Sequence, residues 1–322
     1  MSEQRFLITG ALGCIGAWVV RCLAREGAAV ATFDLAGDPH RLRLLMDDDE
    51  LAQVQHITGD ITDLGAFEAA LQETGATHVI HLAGLQVPFC KADPPLGARV
   101  NVVGTVNVFE AAKRVGLRRV VYASSIAIYG LREEYPEGPI GHDALPRPRT
   151  HYGVYKQANE GTARIYWLDD GISSIGLRPY IVYGPARDQG MTSQPTKAML
   201  AAALGRPHNI PFGGRSVYQY TEDTARAFIQ AARSTFAGAE AFNLGGAVAH
   251  VRDVIAAIET AEPSSRGRIT FDDKPLPFPA EMDGTPLEAA IGPLSVTPLA
   301  AGVQETVELF RRALAAGRLA AQ

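Results

Sequence analysis

Thr9-Gly10-Ala11-Leu12-Gly13-Cys14-Ile15-Gly16 follows the short apolar run Arg5–Thr9 and precedes a helical pattern reaching about residue 26. A strand, a glycine turn and a helix in that order make an anion site, because free N–H groups at the helix N-terminus face out of the turn. Gly10 permits the tight turn, Gly13 lets a pyrophosphate approach the backbone, and Gly16 lets the helix pack close on the strand, while Leu12, Cys14 and Ile15 supply the rest of the cradle. Two residues separate each pair of glycines, unlike the one-then-two spacing of the dehydrogenase fingerprint. Alone, the motif reads equally well as a simple turn. Asp34 changes the balance. It ends the next apolar run, 18 residues after Gly16, where a carboxylate accepts from both ribose hydroxyls of a dinucleotide. Its charge repels a 2′-phosphate, which favours NAD over NADP. Arg41 and Arg43 read as solvated helix charges rather than phosphate ligands.

Working outward, β-branched runs at 28–34, 54–60, 77–82 and 118–123 alternate with helical patterns, one of them over 94–115. Alternation of this kind predicts a parallel sheet covered by helices on both faces. Gly59-Asp60-Ile61 ends the third run, where Asp60 can accept from an adenine amino group. Leu82-Ala83-Gly84 ends the fourth, with small residues where backbone can run beside a cofactor. His151–Asp170 reads as a helix with Gly171 as its C-cap, followed by a strand at 172–177. Helices are expected at 196–204, Thr221–Arg233 and 303–315, and a short strand at 242–244. The Pro-, Gly- and Ser-rich segment 261–298 reads as a surface loop. The expected division is a dinucleotide-binding unit at 1–178, to which 221–246 returns, and a substrate-binding unit at 179–220 and 247–322.

With 47% hydrophobic and 20% charged residues, the chain has the composition of a globular protein. A net charge of −5 without a dense basic block gives nucleic-acid binding no support. No run of 18 apolar residues predicts a membrane span, and Met1-Ser2-Glu3-Gln4 does not open a signal peptide. Cys14, Cys22 and Cys90 are odd in number and scattered, so neither a disulfide framework nor a metal site is expected. These features point to the cytoplasm.

Tyr152-Gly153-Val154-Tyr155-Lys156 carries the chemistry. Tyr152 and Lys156 are four apart on one helix, so they share a face. A phenol with an ordinary pKa near ~10 is a poor base at neutral pH. A nearby ammonium and the positive ring of an oxidised nicotinamide favour its ionised form. Tyr152 can then take the proton of a substrate hydroxyl as hydride leaves the carbon. Lys156 can also hold the nicotinamide ribose. Ser125 is suited to hydrogen-bond the same substrate oxygen, with Ser124 its competitor. On its own the Tyr/Lys pair is a surface pair on an amphipathic helix; downstream of a dinucleotide site it reads as a proton-transfer site. Tyr155 faces elsewhere and packs. His56, His78 and His81 lack metal-ligand spacing, and His151 reads as a cap or surface residue.

These residues, with H-L-A-G (81–84), Asn101 in N-V-V-G-T, S-S-I-A-I-Y-G (124–130), L-R-P-Y-I-V-Y-G-P (177–185), Y-T-E-D-T-A (220–225) and F-N-L-G-G (242–246), resemble the extended short-chain dehydrogenase/reductases of the NAD-dependent epimerase/dehydratase type. The resemblance implies a Rossmann doubly wound parallel sheet with a smaller C-terminal α/β substrate domain, bound NAD, and a site of Ser125, Tyr152 and Lys156. It adds Asn101 and Pro179 to the cofactor's surroundings. It also implies a homodimer formed by the helices expected at 94–115 and 151–170.

Departures from the family pattern narrow the activity. Ile126 and Ala127 stand where the dehydratases carry an Asp-Glu pair; neither moves a proton, which disfavours that branch. Ile181 and Ser216 stand where sugar-nucleotide epimerases commonly carry Asn and Arg, although Arg215 is one residue away. Arg187, Asp188, Gln189, Thr192 and Ser193 form a polar cluster where the substrate pocket is expected, and arginine pairs bidentately with carboxylates. The leading expectation is an NAD-dependent dehydrogenase acting on a secondary alcohol of a small sugar-like or hydroxy-acid substrate. The alternatives are an NDP-sugar 4-epimerase with transient oxidation and, more remotely, a non-catalytic NAD-sensing protein.

Overall fold

In the computed structural model, which describes residues 4–319, twelve strands are formed by Arg5–Thr9 (β1), Ala29–Asp34 (β2), Val54–Thr58 (β3), His78–His81 (β4), Arg119–Ala123 (β5), Ser173–Arg178 (β6), Ile181–Tyr183 (β7), His208–Ile210 (β8), Arg215–Tyr220 (β9), Ala239–Asn243 (β10), Ala247–His250 (β11) and Ile269–Phe271 (β12). The N-terminal stretch Met1–Glu3 lies outside the described residues. Seven strands form one sheet in the order β10-β6-β5-β4-β1-β2-β3, and all its pairings are parallel. The order reverses between β1 and β4. In an open parallel sheet the loops at the carboxyl ends of those two strands part at that point and leave a crevice. The glycine turn and Leu82–Gly84 both lie there.

The central strands are apolar on both faces because helices cover both. Phe6, Ile8 and Ile80 pack into one core with Trp18 and Val19 of helix Cys14–Arg25. Leu7, Val79 and Val120 pack into the opposite core with Phe67, Phe109 and Ile172. A three-stranded sheet, β11-β9-β7, and the pair β12-β8 form a smaller layer near the C-terminal half.

The helix expected at 94–115 is present over those bounds but carries a π-helical turn at Arg99–Val103 between Pro94–Ala98 and Gly104–Val115. The π-turn buries Asn101, whose amide donates back to the Gly97 carbonyl at 2.9 Å. One expectation is corrected. The 261–298 segment is not a plain loop: it holds β12 and helix Thr285–Ile291, which buries Leu287 and has proline in its first turn. Among the described residues, no helix is long and apolar enough to cross a membrane.

Candidate active site

The glycine turn is locked by its own backbone. Gly10 has φ of +69°, and a Cβ there would lie 2.5 Å from the Ala83 nitrogen, so the turn runs directly against the end of β4. Gly13 N–H donates to the Gly10 carbonyl at 3.0 Å, and helix Cys14–Arg25 begins with an extended Gly13 and no side-chain cap. Its first N–H groups are therefore left for a ligand. Burial pushes the Cys14 thiol up to about 12, against the charges of Arg187 and Arg41, so it stays protonated and contributes backbone only.

Asp34 Oδ2 accepts from the Ala11 N–H at 2.8 Å, which ties the end of β2 to the glycine turn. Burial raises its pKa to about 7, opposed by the N–H groups of Ala11, Leu12 and Gly10. Asp60 is exposed, with Oδ1 accepting from Thr62 N–H, and Ile61 is buried behind it.

At the other end of the groove stand Ser125, Tyr152 and Lys156. Thr150 caps helix His151–Asp170 by accepting from Gly153 N–H, and Tyr152 and Lys156 project from its first turns. Lys156 is 4% exposed, and its Nζ donates to the Ala123 carbonyl at 2.7 Å. The ammonium lies 5.6 Å from the centre of the Tyr152 ring. Ser125 hydrogen-bonds Tyr152 and caps the turn Ile126–Ile128 by accepting from Ala127 N–H at 3.1 Å. Burial lowers Lys156 to about 8, partly offset by Cys90 and Glu160.

The expected lowering of the Tyr152 phenol by Lys156 is not what dominates. Burial raises it; the Ser125 hydrogen bond and the Arg187 charge pull it part of the way back. The Arg187 charge acts through space on Cys14 as well, so it is not confined to either end. Arg187 Nη2 donates to Thr192 Oγ1 at 3.0 Å, while its buried Nε has no partner.

Several expected site residues serve other ends. The Ser124 hydroxyl donates to Glu160 Oε1 at 2.5 Å. Glu160 in turn forms a two-pronged ion pair with Arg178, at 2.8 Å on each side. Arg178 also donates to Tyr129 Oη and the His142 carbonyl, and Asn243 closes the network on Tyr129. Ser124 therefore fixes the end of β5 against the helix, and Ser125 alone of the two faces Tyr152. Glu160 is four residues beyond Lys156, so the helical period was the sequence signal for it. Ile181 is fully buried in the core, and Ser193 is fully buried with its hydroxyl on the Gly190 carbonyl. Neither is free for a substrate.

Asn101 holds the loop after β4, its amide donating to the Leu85 and Gly97 carbonyls; its Oδ1 is buried without a partner. That oxygen would lie 2.7 Å from a Cβ on Gly84, and Lys156 Nζ would lie 3.6 Å from it. Glycine at 84 thus keeps open the space beside Lys156. Pro179, which sits between β6 and β7, accepts from Ile126 N–H at 3.3 Å. Arg41 is not a solvated charge. Its Nη1 donates to the Leu12 carbonyl at 2.7 Å, and its Nε and Nη2 donate to Asp188 Oδ1 at 2.9 and 2.7 Å. Both Asp188 oxygens are thus engaged, Oδ1 by Arg41 and Oδ2 by His40; burial opposes its ionisation, but Arg41 and His40 hold it below the usual carboxylate range. Arg43 is exposed and pairs with Asp38. Arg215 points outward to Glu281 while Ser216 points inward, since successive strand residues take opposite faces. Burial lowers His81 to about 3, and it bridges Thr9 and Thr105 as a neutral ring.

The crevice at the point where the strand order reverses is flanked by the Asp34 carboxylate, a helix N-terminus without a side-chain cap, and Tyr152 with Lys156, a set of groups that an extended dinucleotide would fit. Fold and groove define a nicotinamide-dependent oxidoreductase of the doubly wound α/β class. The chain belongs to the NAD dependent epimerase/dehydratase family, whose model matches residues 6–245. It is 30% identical to the UDP-glucose 4-epimerase of Mycolicibacterium smegmatis, over 96% of this chain and 99% of that protein. The structure of the Thermus thermophilus UDP-glucose 4-epimerase in complex with NAD superposes with a TM-score of 0.80 at 28% identity, covering 96% and 99% of the two chains. An L-threonine dehydrogenase from Clostridium difficile shares the fold at a TM-score of 0.85 and 21% identity, covering 97% and 99%. The enzyme is NAD-dependent, as its family is.

Proposed function

We propose that the protein is an NAD-dependent dehydrogenase acting on a secondary alcohol of a small hydroxy-acid or sugar-acid substrate. The observation that carries this reading is Arg187: a guanidinium in the loop after β7 that donates to Thr192 and keeps a buried Nε without a protein partner. A substrate carboxylate there would meet a planar, permanently charged donor. The positions expected to grip a nucleoside diphosphate speak against the larger substrate, because Ile181 is core and Arg215 faces outward.

In this reading Tyr152 removes the hydroxyl proton, and Ser125 donates to the same oxygen and orients it. Lys156 lies at the nicotinamide end, where its ammonium can donate to the nicotinamide ribose. NAD held there would supply the hydride acceptor. Glycine turn, Asp34, Asp60 and the 82–84 backbone hold the dinucleotide, and Asn101 shapes the loop beside it. Exposed Leu96 and Val103 on the first segment, and Val154, Ile165 and Leu168 on the second, support a homodimer through the helical segments 94–115 and 151–170. Three free cysteines support a reducing compartment such as the cytoplasm.

A second reading, a UDP-sugar 4-epimerase, is favoured by the 30% identity to the Mycolicibacterium smegmatis enzyme over nearly the whole chain. Thermal shift with saturating NAD separates the two. A ligand at about 100 times its dissociation constant stabilises by ~2.7 kcal/mol. The dehydrogenase reading expects a rise with a small hydroxy acid and none with UDP; a clear rise with UDP alone overturns it.

A further inference from the structure

The loop 184–193 meets three other segments: the first helix, the helix His40–Leu45 after β2, and the loop after β4. Trp18 Nε1, on the first helix, donates to the Pro185 carbonyl at 2.9 Å. Asp188 is gripped by Arg41 through two hydrogen bonds, and His40 Nε2 lies 3.0 Å from its other oxygen. Gly190 lies so close to Gln86, beyond β4, that a Cβ would come 2.2 Å from Oε1. Between these anchors Ala186 is buried with φ of +73°, a conformation a non-glycine residue holds only when its surroundings impose it. The loop therefore crosses the groove from the β2 side to the β4 side. It is tied through Arg41 to the glycine turn, whose Leu12 carbonyl accepts from the same guanidinium.

We infer that the Arg41–Asp188 contact, supported by His40, latches this loop over the bound dinucleotide and governs how fast NAD leaves. Arg41 joins both walls of the groove, since one guanidinium holds the glycine turn and the crossing loop together. The dinucleotide's path from Asp34 to Lys156 passes the glycine turn held by that junction, so its exit requires the junction to part. Arg41 and Asp188 differ in exposure, at 12% and 44% of their side chains, so the pair is reachable by solvent and can open without unfolding the core. The consequence bears on the reaction type. A dehydrogenase must release its cofactor at every turnover, and an epimerase need not, so the latch sets the ceiling on net oxidation. The inference rests on NAD as cofactor and not on the substrate.

The experiment measures cofactor exit without substrate. Protein loaded with NADH is mixed with excess NAD, and the loss of bound-NADH fluorescence gives the dissociation rate. Asp188→Asn is expected to raise that rate about tenfold, the size of a partly buried two-pronged charged contact. Asp188→Glu, which keeps the charge, is expected to stay close to wild type. Arg41→Ala and the double variant with Asp188→Asn should match each other, because one broken latch cannot be broken again. An unchanged rate in Asp188→Asn, or additive effects in the double variant, overturns the inference. Should Asp188→Asn fail to fold, Arg41→Lys tests the same contact: a faster rate supports the latch and a wild-type rate overturns it.

Discussion

Binding of NAD should release a proton, and Asp34 sets how much. The apo carboxyl is pushed up to about 7 by burial, against three N–H groups of the glycine turn. Ribose hydroxyls donate to an ionised carboxylate, so the bound state favours the deprotonated form. At pH 7 the apo group is about half protonated, and binding should release about half a proton. Near pH 6 the release approaches ~0.9, and near pH 8 it falls to ~0.1. Affinity should drop roughly tenfold per pH unit below 7 and be flat above it. The sign for folding runs the other way. A carboxyl whose folded pKa exceeds its unfolded value near ~4 makes the apo protein lose stability as pH rises from about 4 through 7. Calorimetry of NAD binding in phosphate and in imidazole at pH 6, 7 and 8 reads the proton directly from the buffer-dependent heat. The Asp34→Asn variant should show neither the buffer dependence nor the pH slope. Equal heats in both buffers with wild-type protein, or an affinity unchanged between pH 6 and 8, would refute the reasoning.

Gly84→Ala places a methyl 2.7 Å from Asn101 Oδ1 and 3.6 Å from Lys156 Nζ, so NAD affinity should fall about tenfold or more by titration, with overpacking of roughly 1–3 kcal/mol seen in denaturant unfolding. Glu160→Gln leaves the Arg178 guanidinium, 5% exposed, without its countercharge and should destabilise by about 3–5 kcal/mol in denaturant; a loss under about 1 kcal/mol would show the network to be dispensable. Ile165→Asp puts a charge on a side chain 53% exposed in the single chain, and light scattering should find a dimer in the wild type and a monomer in the variant; a monomeric wild type removes the dimer.

Much of the large sheet was legible because its strands are buried on both faces and stand out as apolar runs between helical patterns. The smaller layer was not. β7, β8 and β12 have three residues each, too few for a period to register, and their pairings join segments far apart in the chain. The Thr285–Ile291 helix was hidden by the prolines around it, although proline at a helix start is itself a signal. In the site, the helical spacing brought Tyr152 and Lys156 to one face as expected. Ser124 and Arg215 show the limit. Each neighbours a residue on the opposite face, and which of two adjacent side chains faces the groove is decided by the strand's tertiary setting. The Arg41–Asp188 pair spans 147 residues, and no local pattern announces a contact of that separation.

The central claim is net hydride transfer with Tyr152 as base, and one measurement meets it most directly. Wild type and Tyr152→Phe are incubated with NAD and a panel of small hydroxy acids, sugar acids and UDP-sugars, and reduced cofactor is followed by absorbance. Net transfer predicts accumulating NADH with a small hydroxy-acid substrate, and a rate lower by about 10²–10⁴ in Tyr152→Phe at unchanged NAD binding. Conversion of a UDP-sugar with no NADH released, or equal rates in the two proteins, would contradict it.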